Sequence, residues 1–407
     1  MIKIRSLHLE NYRGFTDTTI EFGDHITCIA GINGAGKSSV LCALSKILES
    51  LYISFPKEEF IKPSDINKNA KDKTAKAVLN LLVNKKNTTH QLSSNDVFIL
   101  ENEVFSKYIK SHDIVISYYS VNRSELDVDV SVDQEKDLSD KKEAMTNAFN
   151  SVTHYKEFFQ WFRDREDREN AIKLEKYENG DTKTIFEDIE LKAVRNAISV
   201  LTPDFSKMKI DKNRQSVLIT KGNTSIDFST LSDGEKGVIT LFGDIARRLA
   251  IANETLENPL EGNGIILIDE IDLHLHPSWQ RKICHALVKT FPNCQFVITT
   301  HSPQILGELK TNEIWLLNDF NVYRPDSSFG LTSNQILDEV MDVIDGDFSL
   351  SRDSTIAKKL QDLNLAMETE KFAEAKKIIA EIEETTGTNL HEAESCKIAL
   401  EMMESEE

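Results

Sequence analysis

The stretch Gly31-Ile32-Asn33-Gly34-Ala35-Gly36-Lys37-Ser38-Ser39 follows an aliphatic run, residues 26–30, and precedes a segment with apolar residues at helical spacing. A strand, a glycine-rich loop and a helix in this order predict a phosphate-binding loop. The glycines let backbone N–H groups turn toward phosphate oxygens, Lys37 reaches the β- and γ-phosphates, and Ser38 supplies a hydroxyl to Mg²⁺. The match is complete, which argues against an ordinary glycine turn and predicts a protein that binds a nucleoside triphosphate.

Polar side chains also follow two later aliphatic runs. Asp269 and Glu270 come directly after residues 265–268, and His301 comes after residues 295–300. Asp269 is expected to hold Mg²⁺ through water, and Glu270 to orient and deprotonate the attacking water. We expect His301 to donate a hydrogen bond to the γ-phosphate. Ligands of doubly wound sheets bind at the carboxyl ends of the strands, so these side chains are predicted to lie beside the glycine loop.

The segment Leu231-Ser232-Asp233-Gly234-Glu235 begins a helix that we predict over residues 233–253. Ser232 and Glu235 have the spacing of a capping box, so helix capping alone is one interpretation. The other interpretation is a phosphate contact, because a serine hydroxyl, a glycine N–H and a helix dipole all favour an anion. Ser232 lies 37 residues before Asp269, and we favour the phosphate contact.

Together these motifs resemble the ABC-type ATPases of the chromosome-maintenance (SMC) and RecF-like group. The matching segments are GINGAGKS (Walker A), LSDGEK (signature), GIILIDE (Walker B), IDLHLHP, TTHSP and the early ENYRGF. The resemblance implies a Mg²⁺-dependent ATPase that dimerises around ATP, with the signature of one subunit completing the site of another. It departs from the family at Asp233, where the usual signature has a glycine.

The resemblance also assigns roles to individual residues. It implies that Arg13 lies near the nucleotide and that Asp272 lines the dimer interface and acts with Glu270 and His301 in catalysis. The predicted metal ligands are Ser38 and Asp269. The remaining predicted ATP contacts are Asn33, Gly34, Ala35, Gly36, Lys37, Ser38 and Ser39.

Composition and charge narrow the class of protein. The 407 residues are 40% hydrophobic and 28% charged, as in a globular protein. No apolar stretch approaches the roughly 18 residues of a membrane helix, so we expect a cytoplasmic protein with no membrane partner. The net charge of −19 argues against a diffuse cationic surface for nucleic acid. Residues 351–407 hold 7 basic and 14 acidic residues, and their apolar spacing predicts acidic amphipathic helices.

We therefore predict an α/β fold with an ABC-type P-loop ATPase head, a mixed sheet with helices on both faces, built from residues 1–51 and 226–330. Residues 52–225 are predicted to form a compact α+β insertion without a long coiled coil, and residues 331–407 a helical C-terminal region. The strands expected in the insertion are 77–83, 114–119 and 217–219, and the helices 155–176 and 186–200.

Three further motifs have alternative interpretations. His274-x-His276 has the spacing to share a metal ion, but no third ligand lies nearby in sequence, so we favour a structural role. Residues 158–170 mix aromatics with arginines, as a nucleic-acid surface does, and we favour a helix with an aromatic core face and a salt-bridged exposed face. Asp345-Gly346-Asp347 suggests a Toprim-type nuclease, but that fold also needs a Glu-Gly motif, which is missing after residue 310, so no intrinsic nuclease is predicted.

The segments ISYYSVNR (116–123), FFQWFRDREDREN (158–170) and SNQILDEVM (333–341) are similar to the PtuA ATPases of Septu and retron-linked antiphage systems. That resemblance implies an oligomeric ATPase that regulates a separate HNH nuclease, PtuB, with DNA or a retron nucleic acid as a further partner. The alternative is a RecF- or SMC-like DNA-repair ATPase that acts on DNA without a nuclease. A transporter ATPase ranks last, because 195 residues separate Lys37 from Ser232, more than we expect for that group.

Overall fold

The computed structural model describes residues 2–53, 60–71, 73–94, 113–121, 141–150, 154–180, 186–211, 216–341, 354–369, 371–386 and 390–405. The chain divides into two units, Met1–Gly330 and Leu331–Glu407. The motif at residues 345–347 and the last two residues of ISYYSVNR lie outside the described residues.

The first unit contains both strands and helices. Its strands are β1 (Ile2–Tyr12), β2 (Phe15–Glu21), β3 (Ile26–Gly31), β4 (Lys76–Val83), β5 (Lys86–Ser93), β6 (Ile114–Tyr119), β7 (Phe205–Asp211), β8 (Ser216–Lys221), β9 (Thr224–Asp227), β10 (Asn263–Ile268), β11 (Cys294–Thr300), β12 (Ile314–Asn318) and β13 (Asn321–Tyr323). Its helices are α1 (Lys37–Ile53), α2 (His154–Glu178), α3 (Ile189–Leu201), α4 (Asp233–Ala252), α5 (Pro277–Thr290) and the short α6 (Pro303–Leu306). The strands and helices expected within residues 52–225 are confirmed, and β5, β7 and β9 are additional.

The largest sheet has six strands in the order β13-β12-β3-β11-β10-β6. The neighbours β12-β3, β3-β11, β11-β10 and β10-β6 are parallel, and β12 and β13 are antiparallel. Parallel strands covered on both faces account for the aliphatic run in β10 and for the burial of every residue in β3. Because the parallel strands point the same way, the residues that follow β3, β6, β10 and β11 lie along one edge of the sheet.

Helix α1 packs between this sheet and a second one, the antiparallel sheet β2-β1-β4-β5. Leu44 of α1 shares a core with Leu7 of β1 and Leu267 of β10. On the opposite face of the large sheet, Phe291 lies with its ring centroid 5.8 Å from Phe242 of α4 and 6.4 Å from Phe296 of β11. The predicted fold class, a mixed sheet with helices on both faces, is confirmed.

Residues 52–225 contribute strands to both sheets of the head. Strand β4 pairs with β1 and β5, and β6 is the edge strand beside β10. The three-stranded sheet β7-β8-β9 lies at the other end of this range and leads into α4. The β1-β4 and β6-β10 pairings join segments far apart in sequence, so local periodicity carries no signal for them.

Residues 158–170 lie within α2, and their aromatic face is buried as predicted. The predicted salt-bridged exposed face is correct only in part, because Arg168 is exposed but Arg165 and Glu169 are buried. Arg165 Nη2 lies 2.6 Å from Glu190 Oε2, and Arg195 Nη1 lies 3.2 Å from Glu169 Oε2. Burial raises the pKa of Glu190 to about 7, although Arg165 acts to lower it. Arg165 and Glu169 therefore form ion pairs with α3 instead of facing solvent. The buried aromatic residues are Phe158, Phe159, Trp161 and Phe162.

The second unit is helical, as predicted. Residues Ser333–Gln335 form a helical turn that continues into a π-helical turn, Ile336–Met341, and α7 (Ser354–Glu368), α8 (Phe372–Thr386) and α9 (His391–Ser405) follow. Leu363, Ile379 and Ile382 are buried in a core shared by these three helices. Among the residues that the structure describes, no helix combines the length and apolarity needed to cross a bilayer.

Candidate active site

The glycine loop leaves β3 and enters α1. Gly34 and Gly36 have φ angles of 84° and 108°, a backbone region that favours glycine. A side chain at Gly36 would also collide with the rings of Phe15 and Phe320, which pack edge to face with centroids 5.3 Å apart. The Phe320 N–H donates to the carbonyl of Ala35 at 3.3 Å. The hairpin of β12 and β13 therefore packs against the glycine loop through Phe320. The sequence motif did not predict this contact.

Lys37 begins α1 and is 5% exposed. Its Nζ donates to the carbonyl oxygens of Gly31 at 2.9 Å and Ile32 at 3.0 Å. Burial lowers the pKa of Lys37, and the carboxylates of Glu270 and Asp269 oppose that shift. The ammonium therefore lies within the field of the two carboxylates that follow β10.

Asp269 connects the glycine loop to the end of β11. Its Oδ1 accepts hydrogen bonds from Ser38 Oγ at 3.2 Å and from Thr299 Oγ1 at 2.5 Å. The Asp269 N–H donates to the carbonyl of Tyr119, the last residue of β6, at 2.8 Å. Thr299 belongs to the segment TTHSP, but the sequence assigned no role to its side chain. The structure thus brings together Ser38 and Asp269, the two side chains predicted to be metal ligands.

Glu270 and His301 face each other at the same edge of the sheet. The distance from His301 Nε2 to Glu270 Oε1 is 3.8 Å. Glu270 has a φ of 47°, a conformation that is strained for a side chain with a Cβ. Its N–H donates to Thr299 Oγ1 at 2.7 Å, which fixes this backbone.

His301 Nε2 is buried and has no hydrogen-bond partner among the residues that the structure describes. Burial, followed by the positive charge of Lys37, lowers the pKa of His301. A neutral imidazole with an unpaired ring nitrogen is therefore available to a ligand at this edge.

Asp272 lies three residues beyond Asp269 and is held by the other threonine at the end of β11. Thr300 Oγ1 donates to Asp272 Oδ1 at 2.5 Å and accepts from the Ser302 N–H at 2.9 Å. Thr299 and Thr300 therefore each hold one of the carboxylates that the sequence singled out.

Arg13 lies beside α1 through an ion pair that the sequence did not predict. Its Nε lies 2.9 Å from Asp65 Oδ1, and its Nη1 lies 3.2 Å from Ser39 Oγ. Lys46 Nζ approaches the other oxygen of Asp65 at 2.6 Å. Burial alone raises the pKa of Asp65, but hydrogen bonds from Lys46 and Arg13 outweigh it and hold the pKa below its ordinary value. Arg13 is thus positioned next to Ser39 of the glycine loop.

The segment Leu231–Glu235 forms the capping box that its spacing allows. Ser232 Oγ accepts the Glu235 N–H at 3.3 Å, and Glu235 Oε2 accepts the Ser232 N–H at 3.0 Å. Gly234 is required for close packing, because a side chain there would collide with the carbonyl oxygen of His274. Within the described part of the chain, no hydrogen bond or ion pair joins this segment to the glycine loop of the same subunit.

The histidines of the 274–276 motif have a local role. His276 caps α5, with its Nδ1 accepting the Ser278 N–H at 3.3 Å. Within the described ranges, no group of three or more His, Cys, Asp or Glu side chains is arranged to hold a metal ion. The structural interpretation of this motif agrees with these contacts.

A parallel sheet whose edge carries a glycine loop with lysine and serine, followed by an Asp-Glu pair and a histidine, is the arrangement of a P-loop ATPase. The chain belongs to the AAA ATPase domain family, whose match covers residues 2–306.

Two curated relatives extend the match beyond this domain. The chain is 28% identical to the Retron Ec83 probable ATPase of Escherichia coli, over 98% of this chain and 87% of that protein. It is 22% identical to the Septu protein PtuA of Bacillus thuringiensis, over 84% of each chain. A solved SMC head bound to the C-winged helix domain of ScpA is 13% identical with a TM-score of 0.48, over 81% of this chain and 98% of that one. The predicted likeness to retron and Septu ATPases is confirmed.

Proposed function

We propose that the chain binds ATP with Mg²⁺ and hydrolyses it at the edge of the large sheet. The main support for this proposal is that Asp269 Oδ1 accepts hydrogen bonds from both Ser38 and Thr299. These hydrogen bonds connect the phosphate loop to the ends of β10 and β11. A hydroxyl and a carboxylate suit Mg²⁺, which prefers oxygen ligands. The unpaired Nε2 of His301 and the glycine cradle suit the phosphates.

Different residues of this chain bind the phosphates, hold the metal ion and activate the attacking water. Lys37 and the loop N–H groups hold the phosphates, with Arg13 and the other loop residues around them. Ser38 and Asp269 would hold Mg²⁺, which would neutralise charge on the phosphates. Glu270 takes the proton of the attacking water, and His301 donates a hydrogen bond toward the γ-phosphate. The strained backbone of Glu270, fixed by Thr299, supports a positioned general base.

We further infer that two subunits close around ATP, so that the signature segment acts on the neighbour's site. Leu231 is buried, whereas Ser232 and Asp233 are exposed at the start of α4. A helix N-terminus presents unpaired N–H groups and partial positive charge to an anion. The exposure of Ser232 and Asp233 supports an intermolecular role for the signature segment, which also includes Gly234 and Glu235, and Asp272 is assigned to the same interface.

Mixing two inactive variants tests this arrangement. Lys37→Ala is expected to lose ATP binding, and Ser232→Arg is expected to lose turnover while still binding ATP. Mixed together, they should recover ATP turnover that neither has alone, because a mixed dimer contains one site with an intact loop and an intact signature. Steady-state phosphate release measures this.

The control mixture is Lys37→Ala with Glu270→Gln. Both changes damage the glycine-loop side of a site, so every mixed dimer lacks an intact site and no turnover should return. Recovery in the control mixture, or none in the test mixture, contradicts a signature that acts in trans.

We propose that the ATPase regulates a partner HNH nuclease of the PtuB kind in antiphage defence, with DNA or a retron nucleic acid as a further partner. The support is the match to a retron ATPase over 98% of the chain and to a Septu PtuA over 84%. The output would then be cutting of nucleic acid by the partner, controlled by the nucleotide state of this chain.

Co-expression with the product of the neighbouring gene tests the partner. We expect that product to be a nuclease that co-purifies with the chain, and we expect Lys37→Ala to change its cutting of plasmid DNA. A Glu308→Gln variant, with an exposed substitution outside the site, is the matched control. A chain that binds no neighbour and shows DNA-stimulated ATP hydrolysis would instead support the DNA-repair ATPase.

A further inference from the structure

Gln280, the fourth residue of α5, joins the two turns that carry the predicted catalytic side chains. These are the β10 turn (residues 269–276) and the β11 turn (residues 301 and 302). Gln280 Nε2 donates to the carbonyl oxygen of Leu275 at 2.9 Å, and the carbonyl oxygen of Asp272 lies 3.5 Å from the same nitrogen. Gln280 Oε1 accepts from Ser302 Oγ at 2.7 Å. One side-chain amide therefore bridges the segments that follow two neighbouring strands.

His301 is held through the residue on each side of it. Thr300 Oγ1 donates to Asp272 Oδ1 and accepts the Ser302 N–H at 2.9 Å. Ser302 is buried, and its hydroxyl donates to Gln280. The backbone before and after His301 is thus connected to the β10 turn, by Thr300 on one side and by Gln280 on the other.

The ring of His301 depends on this backbone for its position. Its Nε2 is buried and has no hydrogen-bond partner among the residues that the structure describes. Glu270 Oε1 lies 3.8 Å from it, which is beyond hydrogen-bond distance. A misplacement of about 1 Å in a reacting group can lower a rate by about 10²-fold. Bonds that fix the β11 turn are therefore expected to matter for hydrolysis.

The two bonds of Gln280 differ in what they can do for the fold. The bond to Leu275 spans five residues and anchors the start of α5 locally. The bond to Ser302 spans 22 residues and crosses to the turn after a different strand, which a local anchor does not require. A primary amide suits the bridge because it donates to a carbonyl and accepts from a hydroxyl at the same time.

We propose that Gln280 is a positioning residue for ATP hydrolysis, which holds the β11 turn so that His301 faces the γ-phosphate beside Glu270. This inference rests on the proposed function, since it assumes the roles given there to His301 and Glu270. Within the described part of the chain, the hydrogen bonds of Gln280 go to the two turns and not to the glycine loop. Gln280 therefore acts on the hydrolysis step and not on the binding of nucleotide.

Gln280→Leu tests this role because it removes the donor and the acceptor together. Single-turnover ATP hydrolysis should fall by about tenfold to hundredfold, the scale of a misplaced reacting group, while the affinities for ADP and for a fluorescent ATP analogue are retained. Gln280→Met, which has similar length and no amide, should behave in the same way. Gln304→Leu is the matched control and should keep its hydrolysis rate, because Gln304 Oε1 lies 3.0 Å from the Ser302 hydroxyl but that contact stays beside the β11 turn.

A spectroscopic measurement separates positioning from a general loss of structure. In the full-length chain labelled with ¹³C-histidine, the ring signal of His301 is the one that His301→Ala removes. A non-hydrolysable ATP analogue with MgCl₂ should move this signal in the unmodified chain, and ADP should move it much less because it lacks the γ-phosphate. In Gln280→Leu the analogue should still bind but should move the His301 signal much less. The signals of His8 and His90, which lie in the antiparallel sheet, should stay in place.

Several outcomes would overturn the proposal while leaving the ATP site itself intact. They are unchanged hydrolysis in Gln280→Leu, an equal loss in Gln304→Leu, and a full movement of the His301 signal in Gln280→Leu. A combined loss of ADP affinity, urea midpoint and hydrolysis in both Gln280 variants would mean that the residue stabilises the fold instead. By contrast, an unmodified chain that does not bind the analogue, or binds it without movement of the His301 signal, would contradict the proposed function.

Discussion

Glu270→Gln is expected to lower the ATP turnover number by about 10² to 10⁴-fold while ATP binding is retained, because loss of a positioned general base has that range of effect. The amide keeps the shape of the side chain and the N–H contact to Thr299, so the strained backbone stays in place. What is lost is the carboxylate that faces His301 at 3.8 Å. A variant that binds but does not hydrolyse ATP should also accumulate the closed dimer.

Three measurements check this expectation: single-turnover hydrolysis, equilibrium binding of a fluorescent ATP analogue, and molecular mass with ATP present. Glu308→Gln is the matched control, since it makes the same chemical change at an exposed position and should leave all three unchanged. Turnover of Glu270→Gln within threefold of the unmodified chain would mean that another group takes the proton.

The sequence predicted that these residues lie close together because they follow strands that end at one edge of the sheet. Asp269, Glu270 and His301 each come directly after an aliphatic run, and parallel packing alone places them near Lys37. The hydroxyl contacts were harder to predict. Thr299 contacts Asp269 and Glu270 because β11 lies directly beside β10, and a strand order is not readable from one strand's own residues.

The main error in the predicted fold was the expectation that charged residues of α2 would be exposed. Arg165 and Glu169 lie three and seven residues after Phe162, on the same face of α2 as the buried aromatic residues, but charge patterning predicted that they would be exposed. The structure buries them because Glu190 and Arg195 of α3 supply partners of opposite charge. Since those partners come from a different helix, periodicity within α2 contains no information about them.

Asp244→Asn is expected to lower the free energy of unfolding of the first unit by about 3–5 kcal/mol, the cost of leaving buried cations without their carboxylate. Asp244 and Arg248 are completely buried, and Arg247 is 3% exposed. Asp244 Oδ1 accepts from Arg247, and Oδ2 accepts from Arg248 at 2.7 Å and from the Tyr119 hydroxyl at 2.8 Å. An amide keeps the volume but cannot offset two guanidinium groups.

Urea unfolding followed by circular dichroism measures this change, with Asp233→Asn as the control at the exposed start of the same helix. The control should change the unfolding free energy by no more than about 1 kcal/mol, the range for a charge at a helix end. Adding Arg248→Met to Asp244→Asn should recover part of the loss, because it removes one of the uncompensated cations. Two results would show that the charge of Asp244 does not stabilise α4. One is an unchanged urea midpoint in Asp244→Asn. The other is a double variant whose free energy of unfolding falls again by the full amount lost in Asp244→Asn.

The Tyr119 carbonyl accepts the Asp269 N–H at 2.8 Å, so displacement of Tyr119 should also weaken ATP binding in Asp244→Asn.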